Sequence, residues 1–471
     1  MRPMLLAGKW TDSAETIKVH NPFDGSVVGE VAKAGPAELE RATQAAVAAF
    51  ETTRRLSSAQ RSEILAATSA ELDRRKEEVA RTIALEAGKP IKLARGEVGR
   101  AVHTFSVAAE EAHRIGGEVI PLDVTAATEG RLGITRRFPL GPVLAISPFN
   151  FPLNLVAHKL APALAAGNPF VHKPASATPL TALMLGEILL AAGAPPGAVS
   201  VLPCSGADAE RLVADDRFRV LTFTGSPEVG WRLREKAGKK RVLLELGGNA
   251  AIIIHEDADL DRAVDRAVVG AFAYSGQVCI SVQRIYVHRP IYAEFSRRFV
   301  ERAKALKMGN PLDEAADLGP MLDEAAAARV EAWVSEALRG GAKALCGGRR
   351  DGRHYLPTVL ENVATSMKAH SCEIFGPVAN LYPYQDFEEA LRLVNDSDYG
   401  LQAGVFTRDA ARIFRAFEAL EVGGVIIDDS PTFRVDHMPY GGEKASGLGR
   451  EGVRYAIEEM TQLRLLALRV S

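Results

Sequence analysis

The sequence predicts an α/β fold, and three observations carry that prediction. Between residues 142 and 245, unbroken apolar runs alternate with amphipathic runs of helical spacing. A second series of the same kind extends from Asn249 to about Val435. A turn-rich ribbon at 116–140 and an apolar tail, LRLLALRV, stand outside both series and suit a small β unit. Parallel strands buried on both faces read as continuous apolar runs, with amphipathic helices covering the sheet on each side.

In chain order, residues 6–24 read as short strands, with Asn21-Pro22 and Asp24-Gly25 supplying turns. Residues 36–115 are rich in Ala, Glu and Arg, and apolar positions such as Leu65, Leu72 and Val79 recur at helical spacing. Ser57-Ser58-Ala59-Gln60 has the form of a capping box opening one of these helices, which are expected to cover one face of a sheet. Residues 116–140 alternate apolar and polar side chains around a turn, predicting a two-stranded ribbon of the kind that mates with another subunit. Strand-like runs follow at 143–147, 169–172, 199–202, 220–223 and 242–245, separated by helix-like runs at 153–166, 179–192, 208–215 and 227–237. Ligands of parallel sheets sit beyond the carboxyl ends of the strands. That rule gathers residues 148–151, 173–176 and 224–226 around one crevice. The tail is suited to an added edge strand.

Composition narrows the function. The 471 residues are 47% hydrophobic and 25% charged, with a net charge of −2, an ordinary globular profile. That length accommodates about three units of domain size. Without a basic excess or an apolar stretch of spanning length, neither nucleic acid nor membrane is an expected partner. Cys204, Cys279, Cys346 and Cys372 lie far apart and form no CxxC pair. Neither a disulfide framework nor a metal site is therefore expected. The apolar run in MRPMLLAGKWTDS is too short for a signal peptide, so a cytoplasmic location is expected.

Two glycine motifs carry less than they promise. Residues 447–452, GLGREG, satisfy GxGxxG but leave too little chain for a βαβ unit. Residues 225–230 have P-loop spacing without the Lys-Ser/Thr ending; a Thr-Gly-Ser turn before a helix remains, whose N–H groups suit a phosphate. The stronger signal is AYSGQVCISVQR, residues 273–284. It sets Cys279 between a helix-like run (260–274) and a strand-like run (284–288), beside the small residues Ser275, Gly276 and Ser281. A nucleophilic thiol needs a base and an oxyanion donor. Glu245, at the mouth of the strand RVLLEL, is placed for the first role, and Asn150, in the turn PFNFP, for the second. Each also has a structural reading: Cys279 as a small core residue, Glu245 as an ion-pair partner, Asn150 as a turn former.

Seven segments now point to a family. SPFNFP, GNPFVHKPA, FTGSPEVG, LELGGN, SGQVCIS, EIFGPV and YGGEKASGLGREG occur in the order and near the spacing of the aldehyde dehydrogenase superfamily. The chain resembles that family over essentially its whole length. The resemblance implies NAD(P)+-dependent oxidation of a small aldehyde to the acid through a cysteine thiohemiacetal and thioester. Cys279 would be the nucleophile, Glu245 the base for the hydrolytic water, and Asn150 with the Cys279 N–H the oxyanion hole. Because members that transfer the acyl group to coenzyme A typically lack this glutamate, hydrolysis is implied. The cofactor would be held by Ile146, Ser147, Pro148, Phe149, Lys173, Ser176, Gly206, Gly225 and Ser226, with Glu373 on the nicotinamide ribose and Phe375 bordering the nicotinamide. In the family, a glutamate three residues after the lysine often excludes a 2′-phosphate; here Ser176 stands there, so the cofactor is NAD+ or NADP+, with NADP+ expected to be tolerated and the preference between them open.

The family relation also implies a division of the chain. Residues 1–118 with 140–246 would form the dinucleotide-binding unit, 247–454 the catalytic unit, and 119–139 with 455–471 a ribbon for assembly into a dimer or tetramer. PTFRVDHMPYGG and LVAHK resemble the branch containing lactaldehyde and phosphonoacetaldehyde dehydrogenases. There His158, Arg434 and His437 would meet a hydroxylated or anionic substrate, or else anchor the loop and the interface between units. Val278 precedes the nucleophile where some anion-binding members carry arginine, which counts against a phosphonate or phosphate and leaves a small hydroxy-, semi- or uncharged aldehyde equally open. Two other functions are compatible with the residues: a catalytically silent NAD(P)-binding structural or regulatory protein, and a thiol esterase using the same cysteine.

Overall fold

The computed structural model describes residues 1–470. Its larger sheet has eight strands in the spatial order Lys9–Thr11, Met4–Leu6, Val199–Val201, Phe170–Lys173, Val143–Ile146, Val220–Thr224, Arg241–Glu245 and Gly447–Leu448. The five from Val199–Val201 to Arg241–Glu245 are mutually parallel. In chain order these five stand third, second, first, fourth and fifth, so the winding reverses between Val143–Ile146 and Val220–Thr224. Such a reversal opens a crevice at the carboxyl ends of the two strands.

Alternate side chains of these strands point to opposite faces, and each face has its own core. Val143 and Ala145 pack with the helices Ser58–Arg74, Lys76–Ala87, Ile91–Arg114, Asn154–Ala166 and Pro179–Ala191. Leu144 and Ile146 pack with the helices Pro36–Thr53, Gly206–Ala214 and Pro227–Lys236. The helices of residues 36–115 thus divide between the two faces instead of sharing one. The stripe Leu39, Ala42 and Ala46 of the first helix meets the face that would otherwise expose Leu144 and Ile146. The capping box at Ser57 is present, with Gln60 N donating to Ser57 Oγ and Gln60 Oε1 accepting from Ser57 N.

The second sheet has seven strands in the order Lys343–Cys346, Thr358–Glu361, Val378–Tyr384, Val282–His288, Ala250–Ile254, Gln402–Phe406 and Gly424–Ile427. All neighbours are parallel except the first pair. A third sheet joins Thr461–Arg469, Arg131–Pro139 and Val119–Pro121. The tail pairs antiparallel along its full length, from Thr461 opposite Pro139 to Arg469 opposite Arg131, and forms one edge. That edge leaves Leu463, Leu465 and Leu466 more than half exposed.

Near its end the chain returns to the first sheet: Gly447–Leu448 pairs antiparallel with Arg241–Glu245. The GxGxxG at 447–452 therefore begins in a short antiparallel edge strand, not in a parallel crossover. No helix among the described residues is long and apolar enough to cross a membrane.

Candidate active site

Cys279 is positioned by a strained turn. The helix expected to reach Tyr274 ends at Phe272, and Ala273–Gly276 form a 3-10 turn in which Tyr274, Ser275 and Gly276 have φ of 52°, 54° and 69°. Left-handed conformations are costly for side chains other than glycine and persist only where neighbours hold them. Here Tyr274 Oη donates to the Ala87 carbonyl at 2.7 Å and Ser275 Oγ to the Gly319 carbonyl at 2.7 Å. A Cβ on Gly276 would lie 2.1 Å from the Gly376 carbonyl oxygen. Ser275 and Gly276 are thus buried anchors of the turn and do not clear space around the thiol. From the other side, Gly248 lets the backbone of 247–249 pass so close that its Cβ would meet the Cys279 carbonyl oxygen at 2.3 Å.

The thiol is half-buried at the base of a cavity of ≈ 450 Å³. Burial pushes it up to about 11, with Tyr440 pulling the other way. Asn150 is buried in the turn after Val143–Ile146, and its Nδ2 donates to the Gln277 carbonyl at 2.9 Å. That bond ties it to the cysteine loop and leaves its second N–H for a ligand. Glu245 ends its strand with Oε2 buried and unpartnered. Burial, then the nearby Glu451, raises it well above the ordinary carboxylate range.

Beneath Glu245 lies a buried ion-pair chain that motif reading did not single out. Lys159 Nζ donates to Glu451 Oε1 at 3.0 Å and to Thr222 Oγ1 at 3.2 Å, and Arg434 Nη2 donates to Glu451 Oε2 at 3.1 Å. Burial alone would raise Glu451, but Lys159 and Arg434 outweigh it and hold the carboxylate at about 2. Two flanking signals were visible, LVAHK and GLGREG, but nothing in either indicates that they meet 292 residues apart.

The three expected substrate contacts separate. Arg434 is on the cavity wall, its guanidinium 3.6 Å from the centre of the Tyr440 ring. His158 lies under the wall, fully buried, with Nε2 2.8 Å from Asp436 Oδ1. Arg100 and Asn154 complete that cluster on the same carboxylate, at 2.7 and 3.1 Å. His437 is exposed and faces His103 edge-on at 6.1 Å. The cavity instead presents Lys92, Arg100, Arg266 and Arg434, with Glu97 as its one acidic wall residue and Phe151, Leu155, Val278 and Ile280 among the apolar ones. Lys89 is buried against Glu97 and over the Phe151 ring at 3.7 Å.

The crevice at the winding reversal is built differently. Ile146, Ser147, Pro148 and Phe149 leave one strand; Gly225 and Ser226 leave the other and lead into the helix Pro227–Lys236. Ser226 is its N-cap but makes no side-chain cap bond, so the helix end keeps N–H groups for a ligand. Ser147 Oγ turns inward to His172 Nε2 at 2.9 Å, while its N–H donates to the Lys173 carbonyl. Lys173 ends Phe170–Lys173 half-buried, and no acceptor or carboxylate pairs with its ammonium among the described residues. Ser176, in the following turn, and Gly206, at the start of the helix Gly206–Ala214, are exposed. Unpartnered cation, bare helix end and open turn fit a dinucleotide phosphate chain and adenosine ribose. Glu373 Oε1 accepts from Gly248 N at 2.9 Å, and burial raises this carboxyl to about 7. Phe375, at φ 49°, meets Phe149 edge-on at 6.0 Å, closing the inner end.

Elsewhere, His255, Glu256 and His288 bring three ligand-type atoms within 4.8 Å of one another. The two imidazoles stack at 4.4 Å and 14°, so their lone pairs run side by side. Ligands of one tetrahedral ion must converge.

Comparison with known proteins agrees with this geometry. Residues 10–466 match the model of the aldehyde dehydrogenase family. The chain is 47% identical over 462 residues to 3-sulfolactaldehyde dehydrogenase of Priestia megaterium, covering 98% of this chain and 96% of that one. Aldehyde dehydrogenase 21 from Physcomitrella patens, solved with the reaction product succinate, superposes with a TM-score of 0.98 at 50% identity, covering 99% and 98% of the two chains. Glyceraldehyde-3-phosphate dehydrogenase GapN from Methanocaldococcus jannaschii, complexed with NADP, gives 0.93 at 41% identity, covering 96% and 99%. The chain belongs to the aldehyde dehydrogenase family and is an NAD(P)+-dependent oxidoreductase acting on aldehydes.

Proposed function

We propose that this enzyme oxidises a short aldehyde carrying a distal anion, a carboxylate or sulfonate, and releases the acid by hydrolysis. The observation that carries this reading is the cavity beside Cys279, lined by Lys92, Arg100, Arg266 and Arg434 with Glu97 as the one acid on its wall; the carboxylates that pair with the four cations, Asp317, Asp436, Asp429 and Glu451, do not line it. A mainly apolar throat with cations around it favours a small chain with a charged far end. Two of the relatives described above bear a name or product of that chemistry, a sulfonate and a carboxylate, and the third is named for an aldehyde with a distal phosphate.

In the reading, the Cys279 thiolate adds to the aldehyde carbon, and the alkoxide is held by the free Asn150 N–H and the Cys279 N–H. Bound NAD(P)+ supplies the hydride acceptor. Lys173, Ser176, Gly225 and Ser226 would hold its phosphate and ribose end, and Glu373 and Phe375 its nicotinamide end. Glu245, raised by burial, takes a proton from the water that releases the thioester. Lys173, without a side-chain partner among the described residues, and a serine at 176 favour NADP+. The two large sheets correspond in this reading to a cofactor unit and a catalytic unit. The exposed edge Thr461–Arg469 supports assembly of the ribbon with a second copy.

The test is reduction of NAD+ and NADP+ with matched pairs of anionic and neutral aldehydes, in wild type and Cys279→Ala. The alanine variant should lose turnover by at least about 10⁴-fold while still binding nucleotide. Anionic aldehydes should exceed neutral ones of equal length by about 10–100-fold in kcat/KM, the value of one or two well-placed charge contacts. Equal rates for both would discard the anionic substrate and leave the reaction class standing.

A further inference from the structure

Cys279 Sγ has one hydrogen-bond partner among the described residues, the Tyr440 hydroxyl at 3.3 Å. Tyr440 is fixed from three sides. Its backbone exchanges hydrogen bonds with Glu451, its N–H donating at 3.0 Å and its carbonyl accepting in return. Its ring packs with Ile280 and Leu401, and the Arg434 guanidinium covers one face. A phenylalanine would satisfy all of that packing. What a phenylalanine lacks is the hydroxyl, buried with the ring and directed at the sulfur.

We propose that Tyr440 is a catalytic hydrogen-bond donor to the Cys279 sulfur, holding the thiolate from which the reaction starts, and that Arg434, stacked on its ring, is its positioning residue. This rests on Cys279 being the nucleophile. Burial above all, and the charges of Glu373 and Glu245, oppose ionisation of the sulfur, whereas Tyr440 and Arg434 favour it. The phenol itself faces Cys279, Arg434 and Glu245, and burial raises it well above its ordinary range. In the proposed step the thiol is the group that ionises. Its S–H bond breaks and the proton leaves to solvent, while the phenol keeps its O–H and donates it to the new anion. A cation over the ring face draws on the π-system and strengthens the hydroxyl as a donor.

The test is the pH dependence of Cys279 alkylation by iodoacetamide, followed on the peptide carrying residue 279 so that the other three thiols do not contribute. Tyr440→Phe should move the midpoint up by about one pH unit and slow alkylation about tenfold at any pH below it. NADP+ affinity should stay at the wild-type value. Site-specific 3,5-difluorotyrosine at 440 keeps the shape and strengthens the donor, so its midpoint should move down. A midpoint unmoved in both proteins overturns the proposal. Turnover retained in Cys279→Ala would instead overturn the nucleophile assignment, and alkylation would still report whether Tyr440 acts on the sulfur.

Discussion

The two sides of the site are built from different material. The phosphate and ribose end of the cofactor crevice is made of strand ends, turns and a helix terminus, all local to one βαβ series, and its lysine has no side-chain partner among the described residues. The catalytic side is made largely of buried side chains that satisfy one another: Lys159 with Glu451, Arg434 with Glu451, His158, Arg100 and Asn154 with Asp436. One side waits for charge to arrive; the other already holds its own. The difference teaches that a ligand-binding surface can be left unsatisfied where water or ligand reaches it, whereas a buried base needs its electrostatic surroundings completed in advance.

The comparison breaks most visibly at Lys159. Lys159→Met leaves Glu451 buried without its ammonium, and breaking one member of such a pair costs about 3–5 kcal/mol. Glu451 lies below its ordinary range in the fold, so its contribution is fully present above that range and is lost as pH falls toward about 2. Urea melts should show the full loss at pH 7 and a smaller one at pH 4. A difference that does not shrink on acidification would mean that Lys159 stabilises the protein by packing alone. By contrast, Lys173→Met, in the crevice, should cost little stability.

Glu245 sharpens the same contrast through chemistry. Glu245→Gln should give a burst of reduced nicotinamide followed by turnover slowed about 10²–10⁴-fold, the usual worth of a positioned base. Only the ionised carboxylate takes a proton, and burial raises the carboxyl, so wild-type turnover should fall on acidification well before the ordinary carboxylate range. Steady-state kcat against pH should show that limb in wild type and lose it in the variant. An unchanged steady-state rate would remove Glu245 from deacylation.

What was legible in the sequence follows the same division. Unbroken apolar runs and helical spacing placed both sheets, and the turns after the strands placed the crevice, because these signals are local. The tail strand was legible as an edge candidate, though its partner, residues 131–139, is not written in the tail itself. The left-handed turn at Tyr274–Gly276 was not, since it depends on Ala87, Gly319 and Gly376, which hold it from elsewhere in the chain. The ion pairs were hidden for the same reason. Lys159 and Glu451 each read as an ordinary helical or loop charge until folding brings them together. His158 had substrate-contact chemistry in its type but not in its place: Asp436 holds it under the wall.

The smallest expected effect lies on the open side. Ser176→Glu puts a carboxylate in an exposed turn beside Lys173. Two like charges a few ångströms apart across water repel by about 1 kcal/mol, and a 2′-phosphate carries between one and two. NADP+ should therefore bind about tenfold more weakly, while NAD+, with a hydroxyl there, should bind as well or better. Because the position is solvated, the penalty should shrink when salt is raised from 0.05 to 0.5 M, which a buried charge would not do. Dissociation constants for both nucleotides at both salt levels separate the cases. An NADP+ affinity indifferent to the carboxylate would place the 2′-phosphate away from this turn and leave Lys173 as its only recognised anchor. A penalty that persists in high salt would mean that the bound nucleotide seals the turn from water, making the crevice more like the catalytic side than its open strand ends suggest.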